Sequence, residues 1–185
     1  MIFNRHSELT DLHAFLGASK YHWINYDDEK LVNAYASYQN VRRGTVLHEF
    51  AAQCIRLKQK LPKSKKTLNR YVNDAISYNM SPEQPLYYSP NCFGTADAIA
   101  FNNGHLRIHD LKTGTITAHA EQLEVYAALF CLEYGVDPYT INMELRIYQN
   151  DDIVAIIPSP SDISAIEEKI VRFDQIIEGL RSKEG

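Results

Sequence analysis

Asp97, Asp110 and Lys112 lie in one stretch, CFGTADAIAFNNGHLRIHDLK, rich in apolar and turn-forming residues. Side chains alternate along a strand, so Leu106, Ile108, Asp110 and Lys112 share one face of HLRIHDLK. Two ions beside two apolar residues are costly to bury unless they pair with each other or bind a metal. The Asn102-Asn103-Gly104 turn signals a β-hairpin, which brings Asp97 roughly opposite residues 108 to 110. Carboxylates held that close repel, and one must take up a proton unless a cation lies between them. Oxygen ligands suit Mg²⁺ or Mn²⁺, and such an ion activates water and offsets charge on a phosphate oxygen. Lys112 could orient or deprotonate that water, or stabilise developing negative charge. These three residue types together suit phosphodiester hydrolysis. A plain ion pair at a strand end is the competing account of Asp110 and Lys112 taken alone.

The surrounding periodicity supplies the scaffold. From Gly44 to about Lys60, Leu47, Phe50, Ala51, Cys54 and Leu61 recur at helical spacing and would face a core. His48 flanks that stripe, whereas Glu49 points about 100° away and reads as a surface residue. Pro62 breaks the chain, Ser64 is placed to cap a second helix to about Tyr78, and Pro82 and Pro85 read as a loop. QPLYYS, CFGTADAIAF and HLRIHDLK then read as strands. A helix from Thr117 to Tyr134 stops at Gly135. YTINMELRIYQ and DIVAIIP are two further strands, joined at Asn150, Asp151 and Asp152. Ser161 is placed to cap a last amphipathic helix to about Leu180, carrying Ile163, Ile166, Ile170, Phe173 and Ile177. This order predicts an α/β fold, a central mixed β-sheet flanked by helices. It is laid out as a helical cover over 1–40, a core over 44–157 and a C-terminal helix over 161–182.

GTAD followed by HDLKTG resembles the motif of the PD-(D/E)XK nuclease superfamily, with Asp97 as first acid and Asp110-Leu111-Lys112 as its D-x-K. Gly44 and His48 in GTVLHEF, and Gln122 and Tyr126 in EQLEVYA, are similar to the G-x-x-x-H and Q-x-x-x-Y elements of the RecB-like exonuclease branch. The resemblance spans roughly Gly44 to Tyr134, in the order helix, three strands, helix. It implies a restriction-endonuclease-like core of αβββαβ order and a metal-dependent DNA nuclease, an exonuclease in recombination, repair or end processing. It also implies catalytic roles for Asp97, Asp110 and Lys112, and metal ligation by His48, Asp97, Asp110 and the Leu111 carbonyl. Gln122 and Tyr126 would support the site or touch DNA. An imidazole ligand would favour Mn²⁺ more than an all-oxygen site does. The branch members with an iron–sulfur cluster need four cysteines; this chain has three, wrongly placed, so no cluster is expected. The chain resembles the compact, stand-alone members of the branch, many encoded by bacteriophages.

Composition bounds the partners. The net charge is −4, yet Arg42, Arg43, Arg56, Lys58, Lys60, Lys63, Lys65, Lys66 and Arg70 crowd one segment with Glu49 its only acid. A basic stretch on an acidic chain is the footprint of a phosphate-backbone surface, and residues 56 to 70 are expected to track DNA, single- or double-stranded. A solvated helix face and a lysine-rich turn would look the same. Cys54, Cys92 and Cys131 form no CxxC pair and read as buried hydrophobes. His105 and His109 fall on the strand face opposite Asp110 and read as partly buried, and His119 is a candidate phosphate contact. No Gly-rich phosphate loop occurs, which leaves an NTPase without support. No apolar run is long enough for a bilayer, and MIFNRHSELT lacks the pattern of a secretory signal. The expected compartment is the cytoplasm, that of the host if a phage encodes the chain. Replication or recombination proteins as partners, and a homo-oligomeric ring, stay open. So does a non-catalytic DNA-binding protein of the same fold.

Overall fold

The computed structural model describes residues 14–16, 18–114 and 120–184. The expected start of the third helix at Thr117, and His119, lie outside the described residues. The chain divides into two compact units, Met1–Thr45 and Val46–Gly185.

In the first unit a 3-10 helix, Ala18–Asn25, precedes helix α1, Asp28–Arg56. Asp27 caps α1 by accepting from the Lys30 amide at 2.7 Å. Phe15 packs its ring against Tyr35 and Tyr38 at 5.1 and 5.2 Å. The helix thus begins well before Gly44. Its first half carries little apolar periodicity, and its side chains are mostly exposed, so the sequence pattern shows only the second half.

The second unit holds the rest of α1, where Ala51, Cys54 and Ile55 are buried. Leu47 and Phe50, expected in the core, are exposed. The helix ends at Arg56, short of Lys60, with Lys58 left-handed at φ +53°. Helix α2, Thr67–Ser77, follows. Ser64 does not cap it. Asp151 does, accepting from the Thr67 amide at 2.8 Å and from Lys66 Nζ at 2.9 Å. A cap 84 residues away in the chain is invisible to local pattern.

Strands β1 (Ser81–Ser89), β2 (Cys92–Asn102), β3 (His105–Leu111), β4 (Asn142–Gln149) and β5 (Asp152–Ile156) form one sheet in the order β1-β2-β3-β4-β5. Only β3 and β4 run parallel; the other neighbours are antiparallel. Helix α3, Glu121–Tyr134, supplies the crossover between them and ends at Gly135, φ +62°. Asn103 and Gly104, both at positive φ, make the β2–β3 hairpin turn. Pro82 and Pro85 lie inside β1 rather than in a loop. That is tolerated because β1 is an edge strand, where a missing N–H leaves no ladder partner wanting. Helix α4, Pro160–Glu184, begins before Ser161, and the Ser159 carbonyl takes its first amides.

Cores lie on both sides of the sheet. Ile99, Leu106, Ile108, Leu145 and Ile147 pack with Leu123, Ala127 and Phe130 of α3 and Ile163 and Ile170 of α4. Ala98, Ala100, Leu111 and Tyr148 meet Ala51, Cys54, Tyr71, Val72 and Ala75 on the α1–α2 side. Each large apolar side chain so buried contributes about 1.5–3 kcal/mol. His109 is completely buried on that second side, not partly so. Cys54 and Cys131 are buried and Cys92 half-buried, all three as free thiols. Among the described residues no helix is long and apolar enough to cross a membrane.

Candidate metal centre

The hairpin register places the acids. The β2–β3 ladder ends at the pair Ala98–His109, and Asp97 and Asp110 are the residues just beyond it on the two strands. On the other flank Pro82 pairs with Ala98 and Gln84 with Ala96, which sets Glu83 across from Asp97. Three neighbouring strands therefore carry Glu83, Asp97 and Asp110 in one transverse row. Glu83 itself is left-handed at φ +50°, and a non-glycine residue there costs about 1–2 kcal/mol. Backbone strain of this kind gathers at functional sites.

His48 reaches this row from α1, its Nδ1 3.4 Å from Asp97 Oδ2. That contact is the main reason its pKa is raised above the usual histidine value, against the opposing effect of burial. His48, Glu83 and Asp97 can each offer one ligand atom, and these atoms lie within 4.8 Å of one another. Burial first, and Asp97 second, push the Glu83 carboxyl up; His48 and Arg56 oppose them.

Asp110 is buried, and its pKa is raised by desolvation and then by Asp97, with Lys112 and His48 pulling the other way. Lys112 Nζ stands 3.1 Å from Asp110 Oδ2. The two form an ion pair at this distance, with Asp110 Oδ2 buried. Lys112 also donates to Gln122 Oε1 at 2.8 Å, and Gln122 Nε2 donates to the Tyr126 hydroxyl at 3.1 Å. Leu111 enters through its amide, which donates to Asp97 Oδ2 at 2.8 Å. The D-x-K segment and the first acid are thus locked to each other.

Residues 83–150 match the model of one family, described as Protein of unknown function (DUF2800). No curated protein and no solved structure matches the chain. The match covers a little over a third of the chain. It opens on Glu83 and takes in Asp97, Asp110, Lys112, Gln122 and Tyr126; His48 and the basic segment lie outside it.

Of the residues singled out in the sequence, the fold brings together His48, Asp97, Asp110, Leu111, Lys112, Gln122 and Tyr126. Arg56, at the end of α1, and Lys58, Lys60, Lys63 and Lys65, on the stretch that leads to α2, are exposed. Lys66 and Arg70 are engaged by Asp151, through its carboxylate and its carbonyl respectively. Two participants escaped sequence reasoning. Glu83 was hidden by the prolines on either side, which suggest a loop; strand alternation from Leu86 backwards was the available signal. Gly94 is the other: a Cβ there would meet Tyr126 Cε1 at 2.9 Å, so the missing side chain makes room for that ring.

The donor set is one imidazole and two carboxylates, with the buried Asp110 carboxylate, paired to Lys112, alongside. It fits Mn²⁺ or Mg²⁺ in ligand type. A thiol-seeking metal finds no cysteine in this group.

Proposed function

We propose that this chain is a Mg²⁺- or Mn²⁺-dependent deoxyribonuclease of the PD-(D/E)XK type. In this reading the sheet and its flanking helices are a restriction-endonuclease-like core of the RecB-like exonuclease branch. The observation that carries it is the row of Glu83, Asp97 and Asp110 across three strands, flanked by His48 on one side and Lys112 on the other. Three carboxyl groups so close would force protonation of at least one in the absence of positive charge. A cation is the economical remedy where phosphate is to be bound.

His48, Glu83 and Asp97 would hold the ion, with Asp110 completing the negative rim. Bound there, it would lower the pKa of a water and offset charge on a phosphate oxygen. Lys112 orients the attacking water or meets the charge that develops on phosphorus-bound oxygen. Gln122, held by Tyr126, fixes the position of that ammonium. Water oxygen bonds to phosphorus, the P–O ester bond breaks, and the leaving oxygen takes up a proton.

Arg56, Lys58, Lys60, Lys63 and Lys65 would follow the DNA backbone, giving salt-sensitive, largely sequence-independent affinity. Recombination, repair or end processing is the corresponding role.

The test is degradation of linear and circular DNA in Mg²⁺ and in Mn²⁺ by wild type, Asp110→Ala and Lys112→Ala. The proposal expects loss of cutting in both variants by at least about a hundredfold. Equal cutting by all three would remove the mechanism. Binding without cutting by wild type would make the chain a DNA-binding protein of this fold.

A further inference from the structure

The β1–β2 hairpin extends beyond the acid row, and its outward face is aromatic. Tyr87 pairs directly with Phe93, and their rings stack at 6.4 Å between centroids with 27° between planes. The Tyr87 amide points off the sheet edge to Glu133 Oε2 of α3, 2.8 Å away, so this is the non-hydrogen-bonded kind of pair that brings side chains close. Both rings are exposed, Tyr87 by 49% and Phe93 by 68%.

Alternation shows which side they occupy. Leu86, Tyr88, Cys92 and Ala96 turn into the core under α3 and α4. Tyr87 and Phe93 therefore face the other way, as do the next such pair, exposed Pro85 and Thr95. Glu83 and Asp97 come next, between the pairs Gln84–Ala96 and Pro82–Ala98, and Asp97 meets His48 of α1, the helix whose buried residues pack on this same second face. Asp97 is four positions on from Phe93, about 13 Å of strand. That is about four nucleotides of a stacked strand at ~3.4 Å each, and fewer of a stretched one.

We propose that Tyr87 and Phe93 are a stacking platform for unpaired bases, so that the substrate is delivered to the acid row as a single strand. This rests on the nuclease reading and names its substrate class. Base-paired duplex hides its base faces within its own stack, whereas an unpaired base offers one to any exposed ring. The two rings lie within 27° of parallel, and the Tyr87 backbone is anchored to Glu133 of α3, so little ordering is lost when a base settles on them. A protein partner is poorly served by the same patch. Two half-exposed rings supply on the order of 200 Å², against about 800 Å² per partner in a stable interface.

The test is the affinity of the intact chain for a fluorescently labelled oligothymidylate and for a blunt duplex, both in Ca²⁺, followed by cutting in Mn²⁺. Tyr87→Ala/Phe93→Ala is expected to weaken oligothymidylate binding at least about tenfold and duplex binding far less. Tyr87→Trp/Phe93→Trp should restore the single-strand affinity, and Tyr87→Leu/Phe93→Leu should not, which separates stacking from mere apolar bulk. Unchanged oligothymidylate affinity in the alanine variant, while wild type cuts DNA, would overturn the platform and leave the nuclease standing. So would a loss of self-association in that variant, which would make the rings a contact between copies. A wild type that cuts nothing but shows the ring-dependent affinity would overturn the nuclease and keep the platform.

Discussion

The ammonium of Lys112 is shared between Gln122, 2.8 Å away, and Asp110, 3.1 Å away. The amide contact is the shorter of the two, and it holds the ammonium from the α3 side while the carboxylate holds it from the strand. Gln122→Ala should therefore misplace Lys112 without removing it. The expected result is a fall in kcat of about ten- to a hundredfold with little change in KM, the pattern of a lost transition-state interaction. Steady-state cutting of an end-labelled DNA gives both numbers, and an effect confined to KM would assign Gln122 to substrate binding instead.

Glu83 combines a carboxylate in the row with a left-handed backbone. Glu83→Gly should relieve the backbone and raise stability by about 1 kcal/mol in EDTA, which is about 2–4 °C in Tm. The same change should diminish the rise in Tm that Mn²⁺ gives wild type, because a ligand of the native state stabilises by mass action. Glu83→Gln should lose the Mn²⁺ response without the gain in EDTA. Thermal melts with and without the ion check all three. A full Mn²⁺ response in both variants would remove Glu83 from the ligand set.

Gly94 and Tyr126 make a testable contact of shape. Gly94→Ala puts a methyl 2.9 Å from Tyr126 Cε1, and such overpacking costs about 1–3 kcal/mol. Because Tyr126 holds Gln122, cutting should fall along with stability. Adding Tyr126→Leu should recover much of the stability but not the activity. Chemical denaturation of the single and double variants measures the coupling; additive losses would mean that the ring moves aside freely.

His109 governs a different property. It is fully buried, stacked edge-on against Tyr78, and its Nδ1 lies 3.3 Å from the Tyr148 hydroxyl, which donates to Asp74. With that hydroxyl committed, Nδ1 carries the proton, and Nε2 is left buried with no partner. Burial, and then Arg146 and Arg107, push its pKa down to about 3. Above pH 6.5 the imidazole is neutral in the folded and unfolded chain alike. As pH falls below 6.5 only the unfolded chain takes up this proton, so stability drops by about 1.4 kcal/mol per unit until about pH 3. Denaturation midpoints across pH 4–7 should show this slope in wild type and a shallower one in His109→Gln. Parallel curves would mean that other groups carry the acid sensitivity.

Legibility in the sequence followed the range of the interaction. The five strands and the Asn-Gly hairpin depend on neighbours within ten residues or so, and counting back from Asn103 and Gly104 brings Asp97 roughly opposite residues 108 to 110. Glu83 needed the position of β1 in the sheet: its prolines forbid an interior strand but not an edge, and edge status is a tertiary fact. The cap of α2 was out of reach for the same reason, since Asp151 arrives from the β4–β5 turn while Ser64 stood temptingly near. The first half of α1 lacks an apolar stripe, and no local signal marks a helix that buries so little. The acceptor that Lys66 and Arg70 share, Asp151, is likewise beyond local pattern.

The prolines of β1 also shape what can come near the acid row. A border strand with a full set of amide donors invites another chain to zip alongside it. Pro82 and Pro85 have no such donors to give, and the outward amide of Tyr87 is already committed to Glu133. The flank nearest Glu83 is thereby made unattractive to stray polypeptide, and it stays accessible to a visitor that does not read backbone amides.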